Sequence, residues 1–251
     1  MVSNPSGTMK SPVDKRKRFP VAVPSPAMIT NVAAGREVFT SNAFLVTGER
    51  TVLIDPGNDF DAVAAVREQL GDFDGDGDDA TDALDDSEGE ATSALDDSGG
   101  DTPGLLDAVV LTHTHPDHVG NVPAVVDAFD VEVWGFDPDH ELVDHAIADG
   151  ETVRLGDDDY RALHTPGHKD DHLCFYAPES GVLFAGDLVF AGGSFGRTDL
   201  AEGNRATLVA SIESLLEALD GSVAVLHTGH GPSVTDDPYS HVEHALRAAR
   251  R

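Results

Sequence analysis

The sequence predicts a mixed α/β protein built on two sheets or one large one, and three observations carry that prediction. Strand-like runs come in series, with helical stretches interspersed rather than strictly alternating. The 251 residues are 40% hydrophobic, which suits a packed core, yet no apolar run approaches the ~20 residues that span a bilayer. His and Asp residues recur beside glycine just after strands, and the carboxyl ends of strands are where loops converge on a site.

Taken in order, residues 1–27 are rich in Pro and Ser and read as a disordered tail. Its basic residues, Lys15 to Arg18, have no apolar stretch behind them, so no secretory signal is expected and the expected location is cytoplasmic. Residues 38–47 and 51–55 are β-rich, and Gly48-Glu49-Arg50 between them predicts a hairpin. Asn58 or Asp59 is expected to cap a helix with Val63, Val66 and Leu70 on one face, stopped by Gly71. Residues 71–104 form an acidic low-complexity insertion with thirteen acidic residues and no basic one. Asp72 to Asp78 mimics the start of a calcium-binding EF-hand loop. Its twelfth position is Ala83 where a bidentate glutamate is needed, so a solvated loop is expected instead.

Strands are then expected at 107–112, 131–134, 159–164, 172–177, 182–186 and 223–227, with helices near 119–128, over 205–219 and from about 239. The 205–219 helix is the clearest, with Asn204 as its cap and Leu208, Ile212, Leu215 and Leu219 as its buried stripe. Residues 28–251 are expected to form one domain around the insertion.

Forty-six Asp and Glu face sixteen Lys and Arg, a formal charge of −30. Such a chain does not grip nucleic acid or anionic membranes through a general field, because those partners are polyanions. A metal-dependent enzyme remains compatible with it. Only four lysines occur, three of them in the tail. An acidic surface of this kind repels itself in dilute buffer. It is tolerable when molar salt shortens the Debye length from ~30 Å at 0.01 M to ~3 Å, so an extremely halophilic source is expected. On that expectation the thermal midpoint rises substantially between low salt and molar KCl, and a flat or falling midpoint overturns it. The lone cysteine, Cys174, excludes an internal disulfide and any multi-thiolate metal site. Within Leu173-Cys174-Phe175-Tyr176 it reads as a small buried hydrophobe.

Chemistry concentrates in Thr112-His113-Thr114-His115-Pro116-Asp117-His118. His113 and His115, two apart in extended chain, point the same way. Asp117 and His118 turn back after Pro116 at a helix start. Imidazole and carboxylate are the ligands that zinc, iron and manganese share. His168 in Thr165-Pro166-Gly167-His168, Asp187 after Val182–Gly186, and His230 in Gly229-His230-Gly231-Pro232 each add a ligand-capable residue after a strand.

With these residues in place, the chain resembles the metallo-β-lactamase-fold hydrolases. It carries their His-x-His-x-Asp-His signature, followed in order by the matching His, Asp and His over roughly residues 28–251, the insertion excepted. The resemblance implies an αββα sandwich with a two-metal site on one edge. It implies that His113, His115 and His168 hold one metal, that Asp117, His118 and His230 hold the other, and that Asp187 bridges them. Two divalent ions are implied, zinc first, with iron or manganese as alternatives. Thr165-Pro166-Gly167-His168, Phe184-Ala185-Gly186-Asp187, Gly196-Arg197-Thr198-Asp199 and Gly229-His230-Gly231-Pro232 resemble most closely the small glyoxalase II-like members. Their resemblance implies hydrolysis of a small hydroxyacyl thioester or ester. A water shared by two cations loses its proton near neutral pH and attacks the carbonyl, with Asp117 as the catalytic residue that orients it. Two departures stand out. Glyoxalase II enzymes carry a further C-terminal helical domain with glutathione contacts, and only nineteen residues follow Pro232 here; Lys169 stands where threonine is usual.

A rival on the same fold is a persulfide dioxygenase with a mononuclear iron on His113, His168 and Asp187, against which His230 completes a second site. A β-lactamase is disfavoured because several use cysteine at the Asp187 position, and a nuclease by the charge. His164 and His172 flank His168 as either site supports or structural residues. His140, His145, His241 and His244 read as surface helix residues, Lys169 as a surface lysine, and Arg197 with Asp199 as a paired loop brace.

Overall fold

The computed structural model describes residues 28–71, 105–219 and 221–251. The expectations for the tail at 1–27 and for the insertion from 72 to 104, its EF-hand mimic included, lie outside those residues. Six strands form one sheet: β1 (Met28–Asn31), β2 (Phe44–Thr47), β3 (Val52–Ile54), β4 (Ala108–Val110), β5 (Val133–Gly135) and β6 (His145–Ala146), in that spatial order. Five form the other: β7 (Thr152–Leu155), β8 (Asp158–His164), β9 (Leu173–Ala177), β10 (Val182–Phe184) and β11 (Val225–His227), with the spatial order running from β11 back to β7.

Strand residues alternate between faces, and here both faces are apolar. Phe44, Val46, Val52, Ile54, Ala108 and Val110 pack toward the second sheet, onto Leu173, Phe175, Val182 and Phe184. Their neighbours Leu45, Leu53 and Val109 turn the other way, onto α1 (Ala62–Leu70), α2 (Pro116–Val119) and α3 (Val122–Phe129). Cys174, Tyr176 and Leu183 face away from the first sheet, onto α4 (Arg205–Leu219) and α5 (Pro238–Ala249). Two sheets buried between two helical layers make the αββα sandwich, and the doubly buried strands explain why they read as unbroken apolar runs. Among the described residues no helix is long and apolar enough to cross a membrane.

The hairpin through Gly48-Glu49-Arg50 forms as expected, with β2 antiparallel to β3. Asn204 caps α4 by accepting from the Thr207 N–H at 3.0 Å, and Leu208, Ile212, Leu215 and Leu219 are buried. Gly71 ends α1 at φ 74°, a left-handed conformation that favours glycine.

Four expectations are corrected. The cap of α1 is Asp61, whose Oδ1 accepts from the Ala64 N–H at 2.9 Å, not Asn58 or Asp59. The strand expected from 38 starts only at Phe44, because the Ser41 and Asn42 amides bond to the carbonyls of Asp117 and Gly229 rather than to a neighbouring strand. The helix expected near 119–128 is two, α2 and α3, the second ended by Asp130 in a left-handed cap at φ 52°. His145 lies on strand β6, where its ring packs on Trp134 and its Nε2 pairs with Glu132 at 2.8 Å, and His140 lies in a turn; neither is helical. His241 and His244 do sit on α5.

Candidate metal centre

All seven expected ligands meet at one end of the sandwich. His113 and His115 follow β4, Asp117 and His118 open α2, and His168 lies between β8 and β9. Asp187 follows β10 and His230 follows β11; these two strands run parallel, so their carboxyl ends deliver both residues to the same edge. Ligand atoms of His113, His115 and His168 lie within 4.8 Å of one another, as do those of Asp117, His118 and His230, and those of His113, His118 and Asp187.

Asp187 is the junction. Its Oδ2 is 3.4 Å from His168 Nε2 and 3.5 Å from His230 Nε2, and its Oδ1 is 3.4 Å from His118 Nε2. His113 Nε2, His118 Nε2 and Asp187 Oδ1 are buried and accept or donate no hydrogen bond. Three orphaned polar atoms aimed at one another are costly in a protein interior, and a cation among them satisfies all three. The donor set therefore fits divalent metal ions. The close packing leaves no room for a side chain at Gly229, where a Cβ would overlap the Asp187 carboxylate.

Supporting hydrogen bonds fix which ring nitrogen is free. The Asp55 carboxylate accepts the Thr112 N–H at 2.8 Å, the Thr112 hydroxyl at 2.6 Å and His118 Nδ1–H at 2.8 Å. With its own proton given to Asp55, the Thr112 oxygen accepts His113 Nδ1–H at 3.1 Å. His168 Nδ1–H donates to the Arg197 carbonyl at 2.8 Å. Each of the three rings thus carries a proton on Nδ1 and turns Nε2 to the centre as the nitrogen available to a metal, the arrangement by which outer partners orient metal-binding imidazoles. His172 is buried behind the site; its Nε2 accepts the Asp187 backbone N–H at 3.0 Å while Nδ1–H donates to Thr165 Oγ1 at 2.8 Å.

Burial and its neighbouring imidazoles drive His113 well below the usual histidine range, and burial with His168 and Lys169 lowers His115. Burial opposes charge on His118, but Asp187 and Asp55 outweigh it and raise the metal-free ring to about 10. Burial likewise opposes the Asp187 carboxylate, and the charge of His118 wins, holding it far below the ordinary range. Asp117 is lowered in the same sense, burial being outweighed by a hydrogen bond from His230 Nε2 at 3.1 Å and by His118. A cation that takes the His118 lone pair displaces its Nε2 proton.

The cluster floors a cavity of about 630 Å³. The rest of its lining is largely apolar, with Phe39, Phe190, Phe195, Leu200 and Ala201, joined by the charged Arg197 and Glu202. Arg197 and Asp199 pair as expected, at 2.9 and 3.0 Å. Lys169 is not a free surface lysine: its Nζ is 2.5 Å from Glu202 and 3.6 Å from Asp171, and its side chain is largely covered. His164 bonds the Asp170 carbonyl and stacks on Phe136, a structural role. Cys174 is buried, and burial pushes its thiol up to about 12.

Reasoning from sequence missed Asp55 and the aromatic wall. Asp55 stands at the end of β3 in Asp55-Pro56-Gly57, which reads as an ordinary turn; a carboxylate at a strand's carboxyl end, as at Asp187, is the signal that could have found it.

Comparison with known proteins places these features among relatives. Residues 36–230 match the family described as the metallo-beta-lactamase superfamily. The hydroxyacylglutathione hydrolase GloC of Haemophilus influenzae is 31% identical over 152 residues, 52% of this chain and 71% of that protein. Among solved structures, TTHA1623 in a di-iron-bound form is 28% identical with a TM-score of 0.58, covering 88% of this chain and 96% of that one. The BLEG-1 B3 metallo-beta-lactamase is 26% identical with the same TM-score, 0.58, covering 84% of this chain and 99% of that one.

Proposed function

We propose, from the premise that this chain belongs to the metallo-beta-lactamase superfamily, that it hydrolyses a small hydroxyacyl thioester at two divalent cations, in the manner of glyoxalase II. The observation that carries the reading is the position of Asp187, whose two oxygens reach imidazoles of both triads. His113, His115 and His168 would hold one ion, Asp117, His118 and His230 the other, and Asp187 both. Zinc suits this donor set, as do iron and manganese. When bound, such ions supply a water of lowered pKa and a Lewis acid for the carbonyl oxygen. The similarity to GloC of Haemophilus influenzae supports the substrate class.

The chain's own groups do the rest. Asp117 stays ionised beside His230, so it can only accept, and it stands at the cavity floor where it can orient a water and hold its proton. The Nδ1–H bonds of His113, His118 and His168 keep their Nε2 lone pairs inward throughout. No Ser or Cys nucleophile is required, and the raised thiol of buried Cys174 is unsuited to be one.

Metal-replete full-length protein is expected to contain close to two ions per chain by elemental analysis, with turnover on a panel of hydroxyacyl thioesters. A stable content of one iron, together with persulfide-dependent oxygen uptake, replaces this reading by the dioxygenase.

A further inference from the structure

Resting on the hydrolase reading above, we propose that the cavity selects a thioester whose thiol half is neutral and apolar, and that it disfavours a thiol bearing carboxylates, glutathione included. Size comes first. A cavity of about 630 Å³ far exceeds what a two- or three-carbon hydroxyacyl group fills, so the wall beyond the His/Asp floor takes the thiol half.

That wall is built for apolar contact. Phe39 is a large apolar side chain left 77% exposed. Its ring lies 6.2 Å from that of His230 at an interplanar angle of 24°, and Phe190 approaches the same imidazole from 6.2 Å at 63°. A substrate reaching the floor beside His230 therefore passes two phenyl rings, and an apolar tail covers surface that otherwise faces water.

Charge points the same way. Recognising two carboxylates inside a cavity needs cations that are free to pair with them. Among the described residues lining the cavity the one permanent cation is Arg197, and its Nε and Nη2 donate to the Asp199 carboxylate at 2.9 and 3.0 Å, so its charge is already paired. Lys169, the residue after His168, is held by Glu202 at 2.5 Å and faces Asp171 at 3.6 Å. Glu202 itself lines the cavity, so an anionic tail along the wall meets a carboxylate and two cations already paired. The positive charge that metal ions bring lies at the floor, against Asp117 and Asp187, at the reacting end of the substrate.

The test uses the metal-loaded full-length protein and one hydroxyacyl group carried on three thiols: glutathione, N-acetylglutathione with both carboxylates converted to amides, and phenylmethanethiol. The acetylated diamide is close to glutathione in size, and without carboxylates or ammonium its tail is uncharged. For both uncharged-tail thioesters kcat/KM is expected to exceed that of the glutathione thioester by at least about tenfold, chiefly through KM, the scale on which an unpaired polar group is rejected by a pocket. Phe39→Ala is expected to raise KM for the phenylmethyl thioester about fivefold or more, the scale of a lost apolar contact, and to change that for the glutathione thioester less. Glu202→Gln, which removes a cavity-lining carboxylate and the closer partner of Lys169, is expected to narrow the diamide preference. A glutathione thioester hydrolysed as well as, or better than, its diamide overturns this inference and leaves the hydrolase reading standing. Hydrolysis of none of the three overturns both.

Discussion

Replacing Asp117 with alanine is expected to lower kcat by about 10²–10⁴, the range that loss of a positioned acid–base group spans, and to cut bound metal from about two ions per chain toward one. Both effects have one origin. Asp117 belongs to the triad with His118 and His230, and its Oδ2 is the hydrogen-bond partner of His230 Nε2 at 3.1 Å. Alanine leaves His118 and Asp187 as the remaining close donors of that half and frees His230 to turn out toward the cavity. The structural cost is small by comparison, because Asp117 supports Ser41 through its backbone carbonyl, which alanine keeps. The measurement is steady-state turnover with elemental analysis, repeated at saturating metal to separate binding from chemistry. Restored turnover at high metal limits Asp117 to holding the ion. Wild-type turnover at every metal concentration removes it from the mechanism.

The seven candidate ligands were legible because each is an ionisable residue set directly after a strand or at a helix start. Strand ends in a sheet are the places from which side chains can converge without burying loop backbone. The stripe of α4 was legible for an equally direct reason: Leu208, Ile212, Leu215 and Leu219 repeat at the helical period and all four are buried. What escaped depended on partners distant in sequence. The β-rich composition of residues 38–47 suggests strand from 38, but the amides of Ser41 and Asn42 are taken by loops carrying Asp117 and Gly229. Strand β6 is two residues long, and its pairing with β5 is decided by that neighbour rather than by any pattern of its own. Lys169 looked like a surface residue because its partner, Glu202, lies 33 positions on. The apolar wall joins Phe39 to Phe190 and Phe195 across most of the chain, so no local window contains it.

Asp55 is the clearest case, and it supports the second large prediction: Asp55→Ala destabilises the metal-free protein by about 3–5 kcal/mol, the scale for removing one partner of a buried ion pair. His118 is fully buried, and the Asp55 and Asp187 carboxylates beside it favour its charged form in the metal-free protein. Alanine withdraws one of those carboxylates and orphans the Thr112 N–H and hydroxyl, both buried. Asp55 also sits at φ 51°, a left-handed conformation that asparagine and aspartate tolerate and alanine resists by roughly 1–2 kcal/mol.

Asp55→Asn separates folding from metal binding. An amide keeps the left-handed backbone and an oxygen for the Thr112 N–H, so it is expected to fold. It presents N–H in place of a carboxylate oxygen to His118 Nδ1, which favours the ring tautomer with its proton on Nε2, the atom that would bind metal. Thr112, its hydroxyl no longer taken up by a carboxylate, can turn that proton toward His113 Nδ1 and favour the same wrong tautomer there. Metal affinity is therefore expected to fall about 10–100-fold, the usual cost of losing an outer partner, with denaturant stability of the metal-free protein reduced less than by alanine, because the backbone conformation and the Thr112 N–H bond are kept. The readouts are a chelator competition for affinity and denaturant unfolding for stability. An asparagine variant that binds metal as tightly as the parent shows that Asp55 holds only the fold, and that the ring tautomers at His113 and His118 are set by something other than this carboxylate.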